Sequence, residues 1–165
     1  MKVLFVCIGN TCRSPMAEAV LNHLIVKHQL EDWHTDSAGL RDWNVGIEAQ
    51  GRGQELLKQH GLKTTHLGRM ITSQDFYEFD YVLGMDNSNL SELRQLAARL
   101  EPPPQCKIML LGSFLGRKED EIIPDPYFTQ GMAGFHAAYL QIQESCERFV
   151  QQHTRKEKDL LAGSP

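Results

Sequence analysis

The chain has no long apolar run, no surplus of one charge and few cysteines, and each absence narrows what it is. Nothing approaches the roughly 20 consecutive apolar residues of a membrane span. The start, Met1-Lys2-Val3-Leu4-Phe5-Val6-Cys7, is too short for a signal peptide and has no small-residue cleavage site. Basic and acidic residues nearly cancel, leaving a net charge of −4 over 165 residues. That balance gives no general attraction for nucleic acid or an anionic membrane, so any anion must be held locally. The four cysteines, Cys7, Cys12, Cys106 and Cys146, form no C-x2-C pair and have no histidine spacing typical of zinc. A structural metal is therefore not expected, and the chain reads as cytoplasmic, with mainly reduced thiols.

What is present is a regular alternation. Val3-Leu4-Phe5-Val6 suits a strand buried on both faces. Gly9-Asn10-Thr11 then signals a loop, and Ser14-Pro15 a helix start, with Ser14 as N-cap and Pro15 at the first helical position. Ala17, Val20, Leu21, Leu24 and Ile25 follow at helical spacing.

Residues 34–38 read as a short strand ended by Gly39, and 48–60 as a helix closed by Gly61. Residues 81–85 read as a strand, 89–100 as a helix and 107–111 as a fourth strand. A last helix lies within 131–152, with Phe135, Ala138, Tyr139, Ile142, Cys146 and Phe149 on one face. Alternation of this kind predicts an α/β fold of three layers, α/β/α, on a parallel sheet. Residues 1–153 form one domain in this reading, and the polar tail 154–165 is expected to be disordered. Ligands of such sheets bind beyond the carboxyl ends of the strands. The Cys7 loop, the loop from Gly39 to Val45, the Asp86 segment and the Asp125 loop all belong there.

The densest signal is Cys7-Ile8-Gly9-Asn10-Thr11-Cys12-Arg13-Ser14. A phosphoryl group needs converging N–H donors, and a loop that opens onto a helix N-terminus supplies them together with the positive end of the helix dipole. Arg13 adds a planar fork able to bind two oxygens. The same field favours the thiolate of Cys7, a nucleophile that attacks phosphorus to form a phosphocysteine. A strand-end cysteine is more often a small buried hydrophobe. The coincidence of cysteine, glycine, arginine and a Ser-Pro helix start in one short stretch is what favours chemistry.

With these residues in view, the sequence resembles the low-molecular-weight protein-tyrosine-phosphatase family over nearly its whole length. The resemblance covers the Cys7 loop, Asp36-Ser37-Ala38-Gly39, Asp42-Trp43-Asn44-Val45-Gly46, the stretch from Asp75-Phe76 to Asp80-Tyr81, Met85-Asp86 with Ser88-Asn89-Leu90, and Asp125-Pro126-Tyr127. It implies a four-stranded parallel sheet of flavodoxin-like type, no metal or other cofactor, phosphorylated proteins as substrates, and inorganic phosphate or a similar oxyanion as an active-site ligand.

It also implies roles. Asp125, stiffened by Pro124 and Pro126, matches the general acid that protonates the leaving group and then activates water. Ile8, Gly9, Asn10, Thr11, Cys12, Arg13 and Ser14 line the phosphate. Ser14 can donate to the Cys7 sulfur, and Asn10 sits where a left-handed backbone is needed. Asn10, Ser37 and His66 match the residues that brace the loop. Alone, Ser37 and His66 would read as an ordinary strand-end serine and a surface histidine. Trp43 and Tyr127 are expected to wall the pocket. Cys12 could capture an oxidised Cys7 as a disulfide or be a passive loop residue.

Thr11 departs from the tyrosine phosphatases of the family, where isoleucine is usual. The bacterial protein arginine phosphatases, which share the fold and loop pattern, carry threonine there. A hydroxyl suits a phosphoguanidinium, whose N–H donors lie near phosphorus, while a phosphotyrosine ring offers only carbon. Trp43 and Tyr127 are instead typical of the tyrosine branch. The reading favours a cysteine-dependent protein phosphatase acting on phosphoarginine with phosphotyrosine activity alongside; the alternative is an ordinary tyrosine phosphatase. An arsenate reductase would need further cysteines within 81–100, where there are none. A catalytically dead phosphate-binding module would usually have lost the cysteine, the arginine or the acid.

Overall fold

The computed structural model describes residues 1–163. Four strands, β1 (Lys2–Cys7), β2 (His34–Gly39), β3 (Tyr81–Gly84) and β4 (Lys107–Leu110), form one parallel sheet in the order β2-β1-β3-β4. Five helices accompany them: α1 (Arg13–Lys27), α2 (Gly51–Gln59), α3 (Asp75–Glu78), α4 (Asn87–Ala98) and α5 (Ala133–Ala162).

Strand β1 explains the layering. Successive side chains of a strand point to opposite faces. Val3, Phe5 and Cys7 join one core with Met16, Val20 and Leu21 of α1, Leu56 and Leu57 of α2, and Phe135, Ile142 and Phe149 of α5. Leu4 and Val6 join a second core with Phe76 of α3 and Leu93 of α4. Both faces are covered, which is why the strand sequence is apolar without alternation.

Several boundaries differ from expectation, each for a local reason. Helix α1 begins at Arg13, so the N-cap is Cys12 and Ser14 is already helical. Ser14 does not cap because its hydroxyl is turned to the Cys7 sulfur. Helix α2 begins at Gly51, since Glu48 pairs with Leu67 in an antiparallel bridge and the Gln50 side chain caps the helix. Helix α4 begins earlier than expected because Asp86 caps it. Strand β4 ends at Leu110, where Leu111–Leu115 turns into a 3₁₀ segment. Helix α3 was not foreseen.

The largest correction concerns the tail. It was expected to be disordered from residue 154, yet α5 continues through Ala162. Its Lys, Glu, Arg, Leu and Ala residues are strong helix formers, and mixed charge on an exposed helix is no obstacle to it. Ser164 and Pro165 lie outside the described residues.

Candidate active site

Cys7 is the last residue of β1 and pairs in register with Gly39 of β2. The chain must then leave the sheet and enter α1 within a few residues. Asn10 makes this possible with a left-handed φ of 51°, a conformation that asparagine tolerates better than most residues. Gly39 allows the close packing: a Cβ there would lie 3.1 Å from both the nitrogen and the Cβ of Asn10.

The loop carbonyls are taken up from outside. Leu40 N–H donates to Cys7 O, Arg41 N–H to Ile8 O and Gln50 N–H to Thr11 O. Asn44 Nδ2 donates to Gly9 O at 2.8 Å. Among the described residues, no backbone N–H from Ile8 to Ser14 donates to another main-chain group. With the carbonyls held outside, these N–H groups and the start of α1 are the donors available to an anion.

A buried hydrogen-bond network supports the loop. Asn10 Nδ2 donates to Ser14 Oγ (2.8 Å) and Ser37 Oγ (3.0 Å). Its Oδ1 accepts from Arg69 N–H (3.0 Å), which fixes the amide orientation, and from His66 Nε2 (2.7 Å). Ser14 Oγ lies 2.9 Å from Cys7 Sγ. Because Ser14 already accepts from Asn10, its own proton is free for the sulfur. His66 Nδ1 faces Glu18 Oε1 at 3.2 Å and Asp36 Oδ1 at 3.5 Å, and only 9% of its side chain is exposed. Glu18, Asp36 and His66 bring three possible metal-ligating atoms together. Arg69 Nε donates to Asp36 and His66 Nε2 to Asn10, which ties those two residues into the loop's support, while Glu18 Oε1 is buried without a hydrogen-bond partner among the described residues.

Arg13 is almost wholly buried. Its Nη1 donates to Asp86 Oδ2 (2.8 Å) and Ile123 O (2.7 Å). Its Nη2 lies 3.8 Å from Asp125 Oδ2, beyond hydrogen-bond distance. One edge of the guanidinium is thus fixed and the other faces the site. Asp125 caps the 3₁₀ turn Pro126–Phe128, its Oδ1 accepting from Tyr127 N–H at 3.1 Å. Its second oxygen, Oδ2, faces Arg13 Nη2.

These groups surround a cavity of about 170 Å³ lined by Cys7, Ile8, Gly9, Thr11, Cys12, Arg13, Trp43, Asn44, Asp125, Tyr127 and Phe128. Trp43 and Tyr127 stand at its rim, 62% and 49% exposed, so Trp43 is a wall and not core packing. Burial above all, with Cys7 and Asp125 nearby, pushes the Cys12 thiol up to about 12. Cys146 is buried in the α5 core and Cys106 packs near the second core, both away from the cavity.

The structure therefore brings Cys7, Arg13, Asp125, Thr11, Trp43 and Tyr127 to one cavity, with Asn10, Ser14, Ser37 and His66 directly behind it. Sequence reasoning assigned no function to Asp86, Asn44, Arg52 or Phe128. Asp86 carried a legible signal, since it follows a strand and precedes Asn-Ser-Asn. Asn44 and Arg52 carried none, because what they grip is main-chain carbonyl.

A parallel sheet ending in a cysteine-to-arginine loop, closed around a cavity that fits a phosphoryl group, defines the class of small protein phosphatases. The comparison with known proteins is specific within it. The chain belongs to the low molecular weight phosphotyrosine protein phosphatase family, whose model matches residues 2–159. It is 43% identical over 155 residues to low molecular weight phosphotyrosine protein phosphatase 1 of Drosophila melanogaster, covering 94% of this chain and 98% of that one. It is 41% identical to the human low molecular weight phosphotyrosine protein phosphatase over 150 residues, covering 90% and 93%. Among solved structures, a Drosophila arginine phosphatase matches with a TM-score of 0.91 and 74% identity, covering 93% of this chain and 98% of that one. No helix among the described residues is long and apolar enough to cross a membrane.

Proposed function

We propose that Cys7 is the nucleophile, Arg13 the phosphate clamp and Asp125 the general acid and base of a two-step phosphatase whose preferred substrate is phosphoarginine on proteins. In the first step the Cys7 sulfur attacks phosphorus and an S–P bond forms. The bond from phosphorus to the substrate breaks, and Asp125 delivers its proton to the leaving atom. In the second step water attacks phosphorus, Asp125 takes up the water proton, and the S–P bond breaks to return thiolate and inorganic phosphate.

The loop N–H groups and the free edge of Arg13 hold the equatorial oxygens in both steps, which is where charge develops. Ser14 stabilises the departing sulfur, and Asn10, Ser37 and His66 hold the loop in its left-handed shape. Inorganic phosphate binds in the same cradle. A cytosolic setting suits the four free thiols.

The observation that carries the preference is the 74% identity to an arginine phosphatase, and the chemistry of Thr11 agrees with it. Thr11 is one of the residues lining the cavity, and a hydroxyl at this position can accept from a phosphoguanidinium N–H or orient the second-step water. Asp125 in its acid form donates to the leaving guanidine nitrogen and, once ionised, can pair with the released guanidinium, while Trp43 or Tyr127 stacks on its plane. An aromatic ring would leave the hydroxyl unpaired, a penalty of about 1–3 kcal/mol. A second reading, preference for phosphotyrosine, is supported by the same two aromatic walls and by the name of the family.

The residue pair Cys7 and Cys12 also supports a redox role. Peroxide converts Cys7 to a sulfenic acid, and the Cys12 thiol then displaces water to form a disulfide. Burial raises the Cys12 thiol, which works against this capture.

The deciding experiment measures kcat/KM on phosphoarginine and phosphotyrosine peptides for wild type, Thr11→Ile and Cys7→Ser. Thr11→Ile should move preference towards phosphotyrosine. Cys7→Ser should abolish turnover while phosphate still binds. Unchanged preference in Thr11→Ile removes Thr11 as selector, and wild-type turnover by Cys7→Ser rules out the covalent route.

A further inference from the structure

The segment that carries Asp125 is held firmly on one side only by the core. Upstream, Gln141 Nε2 donates to Asp120 O and Ile122 O, Ile123 N–H donates to Met85 O, and Arg13 donates to Ile123 O. Downstream, Tyr127 is 49% and Phe128 85% exposed, and the turn is closed locally by Thr129, whose N–H and Oγ1 donate to the carbonyl of the buried Pro126. The side-chain grip from a separate helix is that of Arg52, on the first turn of α2.

The Arg52 grip is specific. Its Nη1 donates to Thr129 O at 2.5 Å and Gly131 O at 3.1 Å, and its Nη2 donates to Tyr127 O at 3.0 Å. The guanidinium carbon sits 4.5 Å above the Phe135 ring of α5. A planar fork suits this task, since it reaches several carbonyls while its face lies on an aromatic ring. The start of α2 is also tied to the phosphate loop. Gln50 N–H donates to Thr11 O, and Gln50 Oε1 accepts from Arg52 N–H at 2.6 Å. One helix end thus spans the two halves of the site.

We infer that Arg52 is a positioning residue for proton transfer: by gripping the carbonyls of Tyr127, Thr129 and Gly131 it sets where the Asp125 carboxyl stands above the Cys7 loop. This rests on the reading of Asp125 as the general acid. Arg52 touches no reacting atom. Its loss would leave the cradle intact and let the acid drift, and displacement of a catalytic group by about 1 Å is costly. The dependence should therefore appear where protonation of the leaving group matters and not in anion binding.

The test uses the full chain as Arg52→Met, Arg52→Lys, Asp125→Asn and the double variant Arg52→Met/Asp125→Asn. Methionine keeps an apolar stem over Phe135; lysine keeps the charge without the fork. The readouts are kcat/KM over aryl phosphates from dinitrophenyl to phenyl, and inhibition by orthovanadate. Arg52→Met should steepen the dependence on leaving-group basicity, losing about tenfold more on the phenyl ester than on the dinitrophenyl ester. Orthovanadate inhibition should stay within about twofold, and Arg52→Lys should fall between wild type and Arg52→Met. In the Asp125→Asn background the methionine change should add less than about twofold, because the group it positions is gone.

A uniform loss across the series, or an undiminished loss in the double variant, overturns the positioning role of Arg52 and leaves the acid assignment standing. A flat leaving-group dependence in Asp125→Asn itself overturns the acid assignment, and the inference with it. If Arg52→Met fails to fold, Arg52→Lys decides alone by the same slope.

Discussion

Asp86 serves Arg13 and helix α4 at once, one oxygen for each: Oδ2 accepts from Arg13 Nη1 at 2.8 Å and Oδ1 accepts from Asn89 N–H at 2.9 Å. Asparagine is ordinarily as good an N-cap as aspartate. Here it is not, because an amide has one oxygen and must turn its NH2 group either to a helix N–H or to a guanidinium.

Asp86→Asn is therefore predicted to cost about 2 kcal/mol, most of what Asp86→Ala costs, through one lost bond to a charged group or one lost cap. Urea unfolding of both variants measures this. Stability of Asp86→Asn within about 0.5 kcal/mol of wild type would mean that Arg13 does not depend on the second oxygen.

Asn10 combines a backbone and a side-chain requirement that substitution can separate. Asn10→Ala should lose about 3 kcal/mol or more, from the left-handed φ and from buried partners left unpaired. Asn10→Gly removes only the side-chain bonds and should recover about 1 kcal/mol relative to alanine. Equal stability of the two variants would show that the backbone carries no strain at this position.

The four thiols should differ sharply towards an alkylating agent. Burial pushes Cys12 up to about 12 and raises Cys106 and Cys146 as well. At pH 7.5 iodoacetamide should add one equivalent rapidly, at Cys7, and inorganic phosphate should protect it. Peptide mapping after a short exposure reads the outcome, and rapid labelling of Cys12 in the folded protein would contradict it.

His153 predicts a pH effect on stability. Its Nδ1 faces the Phe149 carbonyl at 2.7 Å, so that nitrogen carries the proton, and Nε2 accepts from the Tyr81 hydroxyl at 2.8 Å. Burial, with Lys156 and Lys107 nearby, lowers its pKa below the ordinary 6.5 and outweighs the Phe149 hydrogen bond and the Glu157 charge. The folded state thus binds the proton less readily than the unfolded chain. The stability this gives is present above pH of about 6.5 and is lost as pH falls towards the lowered folded value. The urea midpoint should drop between pH 7.5 and 5.5 more in wild type than in His153→Phe. Equal drops would remove His153 as the cause.

Much of this was readable in advance where the signal is contiguous. The loop from Cys7 to Ser14 declares itself because strand, turn, arginine and helix start adjoin, and Asp125 because prolines flank it. The four parallel strands follow from short apolar runs between helical patterns. One partner of Arg13 was not readable: Ile123 is 110 residues away and contributes a carbonyl that every residue type has. The grip of Arg52 is hidden for the same reason. The end of α5 was misread because a polar segment with mixed charges looks alike as a linker and as an exposed helix; the difference lies in continuity with Phe149 and Val150, which anchor the preceding turns in the core.

The sulfur of Cys7 ends a strand that has a neighbour on either side, β2 and β3. Interior strands are usually the last part of a domain to open, exchanging their amide hydrogens only through complete unfolding. Heat should therefore silence this protein in one stroke: its inactivation curve overlays its melting curve, and no partly unravelled population goes on holding phosphate.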